Sequence, residues 1–260
     1  MITDTHSHIF AEEFDSDRQE AIQRAKQAGV GRILLPNIDL NSIEPMLQLC
    51  KEEPGYCLPM IGLHPTEIKD DYRETLKFFH SELRKQDHPF IAIGEIGLDL
   101  YWEQESLEVQ REVFRTQLEW AVEFNLPVAI HCRSAHREML DIMNHFDKEQ
   151  LSGIFHCFGG TSDEAIELLE WPNFALGIGG VVTYKKSNLP EVLGKTIPMN
   201  RIVLETDCPY LAPVPFRGKR NETSYIVHTA ERVASIYGVS TETLTSQTTA
   251  TANKIMNLES

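Results

Sequence analysis

The sequence lacks three things: long apolar runs, an excess of basic residues and closely paired cysteines. No apolar run is long enough to cross a membrane. The 24 lysines and arginines face 39 acidic residues, which gives a formal charge of −15. A surface of that sign repels polyanions, so a broad, sequence-independent nucleic-acid clamp is disfavoured. A local basic groove, or a substrate phosphate held by metal, stays compatible with this charge.

The five cysteines predict reduced thiols in a cytoplasmic protein, because their number is odd and they are not closely paired. Three of them directly follow candidate site residues: Cys132, Cys157 and Cys208. Strand alternation predicts that these three side chains point away from the site and pack behind it. The first predicted strand begins at about residue 2, so no signal peptide is expected.

Strand-like and helix-like segments alternate along the whole chain. Near-continuous apolar runs, typical of buried parallel strands, predict strands at 2–6, 32–36, 57–62, 90–95, 127–131, 153–156, 174–177 and 201–205. Helical patterns lie between them, and two further helices at about 222–237 and 241–257 end the chain. Eight such units predict an α/β fold, a single (β/α)8 TIM barrel over residues 1–260 with extra C-terminal helices. An open doubly wound sheet is the alternative, weakened by the absence of a G-x-G-x-x-G loop.

Metal-ligating residue types occur where these strands end. His6 and His8 are two apart in an extended segment, so they share one face. Further candidates follow the later strands: His64, Glu95, His131, His156, Glu205 and Asp207. In a barrel the carboxyl ends of all strands meet at one face, where active sites lie. A single buried histidine is more often a satisfied core residue than a ligand, but the convergence of all these residues favours a metal site.

The motifs resemble those of the TatD family of metal-dependent deoxyribonucleases, within the amidohydrolase superfamily. The stretches that carry the resemblance are DTHSH at 4–8, GLHP at 62–65, GEIGLD at 94–99, IHCR at 130–133, FHCF at 155–158 and LETDCPYLAP at 204–213. Cys208 stands where a serine is common in the family, and Ser134 where an acidic residue often follows the arginine. The resemblance implies a barrel hydrolase that cleaves DNA, and specifically an exonuclease.

Two divalent cations are expected as cofactors, and Mg²⁺, Mn²⁺ and Zn²⁺ all remain open. We assign the first to His6, His8, Glu95 and Asp207. We assign the second to Glu95, His131 and His156, since a carboxylate can bridge two cations. Such a pair, about 3.5–4 Å apart, would activate water and clamp the oxygens of a phosphodiester.

Four residues are candidates for catalysis: Glu95, Asp207, His64 and Glu205. Asp207 could accept a proton from the attacking water, or serve as a ligand only. Glu205 is expected to orient a ligand or a water molecule; a buried ion pair with a lysine or arginine is the alternative. His64 is expected to contact the scissile phosphate, or else to make a structural hydrogen bond at the turn formed by Pro65.

Basic and aromatic residues occur in loops that would surround the barrel mouth. The basic residues are Arg133, Lys185, Lys186, Arg217, Lys219 and Arg220, and the aromatic residues are Tyr101, Trp102, Phe158, Tyr184 and Phe216. They could bind an anionic substrate and stack on bases, although such residues also commonly cover a hydrophobic rim. We take His64, Arg133, Tyr101 and Lys219 as the predicted substrate contacts.

Three functions are compatible with these residues. The first is a divalent-metal-dependent deoxyribonuclease, a 3'-5' exonuclease on single-stranded or frayed DNA ends, acting as a cytoplasmic monomer with no membrane partner. The second uses the same two metals on a small phosphoester, lactone or amide, because a fold does not fix the substrate. The third is a metal-stabilised binding protein without turnover, which the full set of candidate ligands disfavours.

Overall fold

A computed structural model describes residues 1–102 and 106–258 of the chain. Eight parallel strands follow one another around a single sheet in chain order. Their bounds are β1 Ile2–Asp4, β2 Val30–Leu35, β3 Cys57–Ile61, β4 Ala92–Asp99, β5 Val128–Arg133, β6 Gly153–Phe155, β7 Phe174–Ile178 and β8 Ile202–Leu204. Parallel neighbours require a crossover between each pair of strands, and the helices supply it.

Seven crossover helices and two C-terminal helices surround the strands in the described residues. They are α1 Arg18–Gln27, α2 Ile43–Glu52, α3 Tyr72–Leu83, α4 Leu107–Phe124, α5 His136–Met143, α6 Ser162–Leu169, α7 Leu189–Lys195, α8 Ile226–Tyr237 and α9 Thr241–Ile255. None of the helices within the described ranges is both long enough and apolar enough to cross a membrane.

The sheet closes between its first and last strands. The Thr5 N–H donates to the Leu204 carbonyl at 3.1 Å, and the Asp207 N–H donates to the His6 carbonyl at 2.9 Å. These bonds pair the segments that follow β1 and β8, so the chain forms a nearly closed barrel. The predicted (β/α)8 barrel is therefore confirmed.

Two apolar layers hold the barrel together. The larger layer lies between the strands and the surrounding helices. The smaller layer fills the barrel interior with side chains from β2 to β8: Leu34, Met60, Ala92, Ala129, Ile154, Ala175 and Val203. Helix α9 packs against this inner layer through Ala252, Ile255 and Met256. Its Thr249 hydroxyl donates to the Met1 carbonyl at 3.2 Å, so α9 covers the end at which the strands begin and leaves the opposite end free for the site.

Strand β4 departs from the predicted pattern in length and in register. The sequence predicts an end at Glu95, whereas the strand continues to Asp99, which pairs with Arg133 of β5. The pairing shifts register between Ile93 and Ile96. Before this shift, Ala92 belongs to the inner layer and Ile93 to the outer one.

Candidate metal centre

Glu95 lies at the centre of the predicted site, with its side chain 4% exposed. Its Oε2 atom is 3.0 Å from His6 Nε2 and 3.5 Å from His8 Nε2. These two histidines extend from the segment after β1, which confirms that their two-residue spacing brings them to one face. One carboxylate oxygen therefore faces a pair of imidazole nitrogens.

The other oxygen of Glu95 faces a second group of imidazoles. Its Oε1 atom is 3.0 Å from His131 Nδ1, 3.4 Å from His64 Nε2 and 3.8 Å from His156 Nε2. Glu95 thus separates two groups of nitrogen ligands and presents one oxygen to each. This is the arrangement that a carboxylate bridging two cations requires.

Asp207 approaches the cluster from the segment after β8. Its Oδ1 atom is 3.6 Å from both His8 Nε2 and His156 Nε2. Its backbone is left-handed, with φ +57°, a conformation that aspartate tolerates better than most residues. At 14% exposure, its side chain is more accessible than the side chain of Glu95. Asp207 is therefore the carboxylate of the cluster that most readily meets water.

The protonation of the cluster indicates that the residues fit divalent cations. Burial lowers the pKa of His8 and His156, but nearby carboxylates outweigh burial and raise these values to about 9 and about 10. The Nε2 atoms of His6 and His8 lie only 3.2 Å apart, and burial lowers the pKa of His6. Without a cation, this cluster attracts protons to balance its carboxylates. Imidazole nitrogens and carboxylate oxygens within 4.8 Å of one another are a suitable donor set for a divalent ion.

Glu205 holds His156 from the side opposite the cluster. Its Oε1 atom is 3.0 Å from His156 Nδ1 and accepts a hydrogen bond of 2.7 Å from the Cys157 N–H. The contact leaves His156 Nε2 facing Glu95 and Asp207. A histidine, and not the lysine or arginine of the alternative prediction, is therefore its partner. Gly177 makes room for Glu205, because a Cβ atom there would lie 2.1 Å from the carboxylate.

His64 makes the turn contact that was the alternative role considered for it, and its other ring nitrogen faces Glu95. Its Nδ1 accepts a hydrogen bond from the Thr66 N–H at 3.2 Å, which is the local turn contact. Because Nδ1 is an acceptor, the neutral ring carries its proton on Nε2, the atom nearest Glu95. Burial is the main cause that lowers the pKa of His64 and keeps the ring neutral. His64 can thus donate a hydrogen bond from Nε2.

A cavity of about 1180 Å³ opens over the cluster. Arg133 and Trp102 line it, and so does Arg137, which was not among the predicted substrate contacts. The guanidinium carbon of Arg133 lies 4.0 Å from the Tyr101 ring centre and 5.4 Å from the Trp102 ring centre. The end of β5 therefore places the Arg133 guanidinium at the mouth of the cavity, and the segment after β4 supplies the two aromatic rings that support it.

The predicted basic rim is only partly assembled. Arg220 instead pairs with Asp17 at 2.7 Å and donates to the Glu13 carbonyl, so its expected place at the mouth is wrong. Lys219 is exposed, 5.9 Å from the Phe216 ring centre, and is not among the residues that line the cavity. The loop after β8 is anchored on α1, and this anchoring directs Arg220 away from the site.

Comparison with known proteins identifies the family. The family model described as TatD related DNase matches residues 3–257. The chain belongs to the TatD family. It is 39% identical to an uncharacterized metal-dependent hydrolase, YabD, of Bacillus subtilis, over 99% of this chain and 100% of that protein.

Two further relatives extend the comparison of this TatD protein. It is 31% identical to the 3'-5' ssDNA/RNA exonuclease TatD of Erwinia tasmaniensis, over 96% of this chain and 98% of that protein. The crystal structure of YJJV, a TatD homologue from Escherichia coli, superposes with a TM-score of 0.90 at 26% identity, over 99% and 98% of the two chains. The resemblance inferred from the motifs is confirmed, and this TatD protein is a metal-dependent hydrolase that acts on ester bonds.

Two features of this TatD site were not predicted from its sequence. Asp99 lies 3.0 Å from His131 Nε2, yet the predicted strand stopped before it. The pattern Glu95-x-Gly97-x-Asp99 was the available signal, since alternate residues share a face. Cys157 was expected to pack behind the site, but it has φ +49° and lines the cavity. Alternation fails there because left-handed backbone ends the extended strand.

Proposed function

We propose that this protein is a divalent-metal-dependent deoxyribonuclease that removes nucleotides in the 3'-5' direction from single-stranded or frayed DNA ends. The observation that carries the proposal is Glu95, which presents one oxygen to His6 and His8 and the other to His131 and His156. The Erwinia relative, named as a 3'-5' ssDNA/RNA exonuclease, supports the choice of substrate and direction.

Two cations fit the two groups of ligands. His6, His8, Glu95 and Asp207 would hold the first, while Glu95, His131 and His156 would hold the second. Bound divalent cations would supply water of lowered pKa and positive charge for the phosphate oxygens. The number and identity of the cations are part of the proposal.

Asp207 is the proposed proton acceptor. Burial raises the pKa of its carboxyl, but His156, His8 and His6 outweigh burial and lower that pKa below its usual value. Asp207 is thus ionised at neutral pH, and it is accessible from the cavity. A carboxylate in this state can take the proton of an attacking water molecule. Glu205 contributes indirectly, because it fixes the ring of His156.

His64 is the proposed hydrogen-bond donor to the substrate. Its neutral ring carries a proton on Nε2, and that atom lies next to Glu95, at the floor of the cavity. A phosphate oxygen placed over the cluster would therefore meet a donor without a second positive charge. Such a donor orients the phosphate and does not depend on pH in the neutral range.

Two arginines at the mouth and the bound cations would together favour an anionic substrate, in spite of the net charge of −15 and of Glu67, Glu138 and Glu164, which also line the cavity. Arg133 and Arg137 line the same cavity as the cluster. Arg133 is held against Tyr101, which leaves that ring as a support for the guanidinium. Lys219, which lies outside the cavity lining, is the weaker of the predicted contacts.

The test is an assay with purified protein, 5'-labelled single-stranded DNA and Mg²⁺, Mn²⁺ or Zn²⁺. We expect metal-dependent shortening from the 3' end, and its loss in Glu95→Gln. Glu108→Gln is the matched control, because Glu108 is 88% exposed on α4. Shortening from the 5' end, or DNA left intact with every metal, would contradict the proposal.

Charge reversal separates DNA from a small substrate. Arg133→Glu should weaken DNA cleavage by tenfold or more, whereas Lys219→Glu should have a smaller effect. If neither change alters turnover of DNA and a small phosphoester, lactone or amide is cleaved faster, the alternative hydrolase function is preferred. Bound metal with no turnover of any of these substrates would favour the binding protein. Cytoplasmic location and a monomeric state stay predictions.

A further inference from the structure

Asp99 is a buried carboxylate at the end of β4 that bridges two parts of the site. Its side chain is 1% exposed. The Oδ2 atom is 3.0 Å from His131 Nε2. The Oδ1 atom accepts hydrogen bonds from the N–H groups of Tyr101 at 2.9 Å and Trp102 at 3.0 Å. Each oxygen therefore serves a different part of the site.

The backbone of Asp99 is clamped by a side chain of α4. Its N–H donates to Gln110 Oε1 at 2.8 Å, and its carbonyl accepts from Gln110 Nε2 at 3.1 Å. Gln110 is fully buried. Both hydrogen-bonding groups of the Asp99 backbone are thus fixed, so its carboxylate has a defined position relative to β5 and to the segment that follows β4.

The contact with His131 determines which ring nitrogen is free to bind a cation. A carboxylate accepts hydrogen bonds only, so His131 must carry a proton on Nε2 to satisfy Asp99. The neutral ring then has its lone pair on Nδ1, which lies 3.0 Å from Glu95 Oε1. Carboxylates that hold ligand histidines in this way fix the tautomer and the ring orientation.

The contacts with Tyr101 and Trp102 position an aromatic platform, defined here as these two residues. The two residues are 55% and 65% exposed, and their ring centres lie 4.7 Å apart in an edge arrangement. Arg133 packs over both rings. The Leu100 N–H also donates to the Arg133 carbonyl at 2.9 Å. Asp99 thus holds in place the platform against which the Arg133 guanidinium packs.

We propose that Asp99 is a positioning residue that sets His131 for cation binding and, with the same carboxylate, holds the aromatic platform in place. The first role rests on the metal dependence of the family. The second role rests on the proposed function, because the platform holds the Arg133 guanidinium at the cavity where an anionic substrate would bind. The two roles use different oxygens and can be separated by substitution.

Asp99→Asn separates them. The amide oxygen can still accept from the N–H groups of Tyr101 and Trp102, but the amide nitrogen then faces His131 Nε2. Two donors cannot pair, so the ring must move its proton to Nδ1 and lose the lone pair needed for the cation. We expect cation affinity at one of two sites to fall by about 10–100-fold, while the platform stays ordered.

Two readouts independent of activity test these roles. Isothermal titration with Mn²⁺ measures cation number and affinity. Acrylamide quenching reports on Trp102, because Trp120 and Trp171 are only 6% and 1% exposed. Asp99→Asn should weaken Mn²⁺ binding with quenching unchanged, whereas Asp99→Ala should change both. Asp147→Asn is the matched control: Asp147 also accepts a backbone hydrogen bond, from the Glu149 N–H, but lies between α5 and β6.

Several outcomes would overturn the proposal. Wild-type Mn²⁺ binding by Asp99→Asn would refute the role at His131, and unchanged quenching in Asp99→Ala would refute the role at the platform. Thermal unfolding shows whether each variant folds. If Asp99→Ala does not fold, Asp99→Asn is compared with Asp99→Glu instead. Changes of equal size in Mn²⁺ affinity and in Trp102 quenching would then contradict separate roles. Neither measurement contains DNA. Failure of the proposed nuclease function can therefore be distinguished from failure of the proposed role of Asp99.

Discussion

Cation binding should release protons from the cluster, and the number released should depend on pH. The pKa of His8 is about 9 and that of His156 is about 10, so both rings are protonated at pH 7 when no cation is bound. A cation needs the lone pairs of these rings, so binding must displace both protons. At pH 7, deprotonation costs about 3 kcal/mol for His8 and about 4 kcal/mol for His156, at 1.36 kcal/mol per pKa unit.

Titration with Mn²⁺ in two buffers of different ionisation enthalpy measures this release. We expect at least two protons per fully loaded protein at pH 7, because burial lowers the pKa of His131 but Asp99 and Glu95 raise it overall, so that His131 adds to the release from His8 and His156. Cation affinity should rise steeply as pH increases toward 9. His8→Gln should reduce the number released by about one. His145→Gln is the control, since His145 is exposed and contacts the Asp141 carbonyl. Observed heats that do not differ between the buffers would refute this view of the cluster.

The same shifts predict the pH dependence of stability without cations. Both folded-state pKa values lie above the ordinary histidine value of about 6.5. The stability that these protons contribute is therefore complete below about pH 6.5 and is lost as pH rises through 9 to 10. Chelated protein should unfold at lower urea concentration at pH 9.5 than at pH 6.5, and saturating Mn²⁺ should reduce that difference. A chelated protein that is equally stable at both pH values would contradict the sign.

Two further predictions concern the packing that supports the site. Gly177→Ala would place a methyl group against the Glu205 carboxylate and should cost about 1–3 kcal/mol of unfolding free energy, measured by urea titration. The control is Gly194→Ala on helix α7, where the nearest neighbour of a Cβ atom would lie at 3.5 Å, so this change should be neutral or slightly stabilising. Equal effects of the two changes would refute the packing argument. Gln117→Leu should cost about 2–4 kcal/mol, because buried Gln117 accepts from the Leu63 N–H at 2.7 Å and donates to the Leu63 carbonyl at 3.2 Å. A loss below about 0.5 kcal/mol, the range expected of an ordinary surface change, would show that neither backbone group depends on this clamp.

The sequence alone was sufficient for the barrel and for most residues of the candidate metal centre. The strands are apolar along nearly their whole length, so both faces of a parallel sheet must be buried. The helices between the strands can cover the outer face, and this arrangement is typical of a (β/α)8 barrel. His6 and His8 share a face because alternation is a local property of extended backbone. His131, His156 and Asp207 follow buried strands, and in a barrel all such ends converge. These inferences needed only local geometry and one rule of topology.

The tertiary structure decided what depends on departures from regular backbone and on distant partners. The register shift in β4 lies between Ile93 and Ile96, and no local pattern marks such a shift. Left-handed backbone turned Cys157 into the cavity. Arg220 does not lie at the mouth because it forms an ion pair with Asp17, which is 203 positions away in the chain. Chain order does not encode which charges meet, so only the folded molecule could show which basic residues face the substrate.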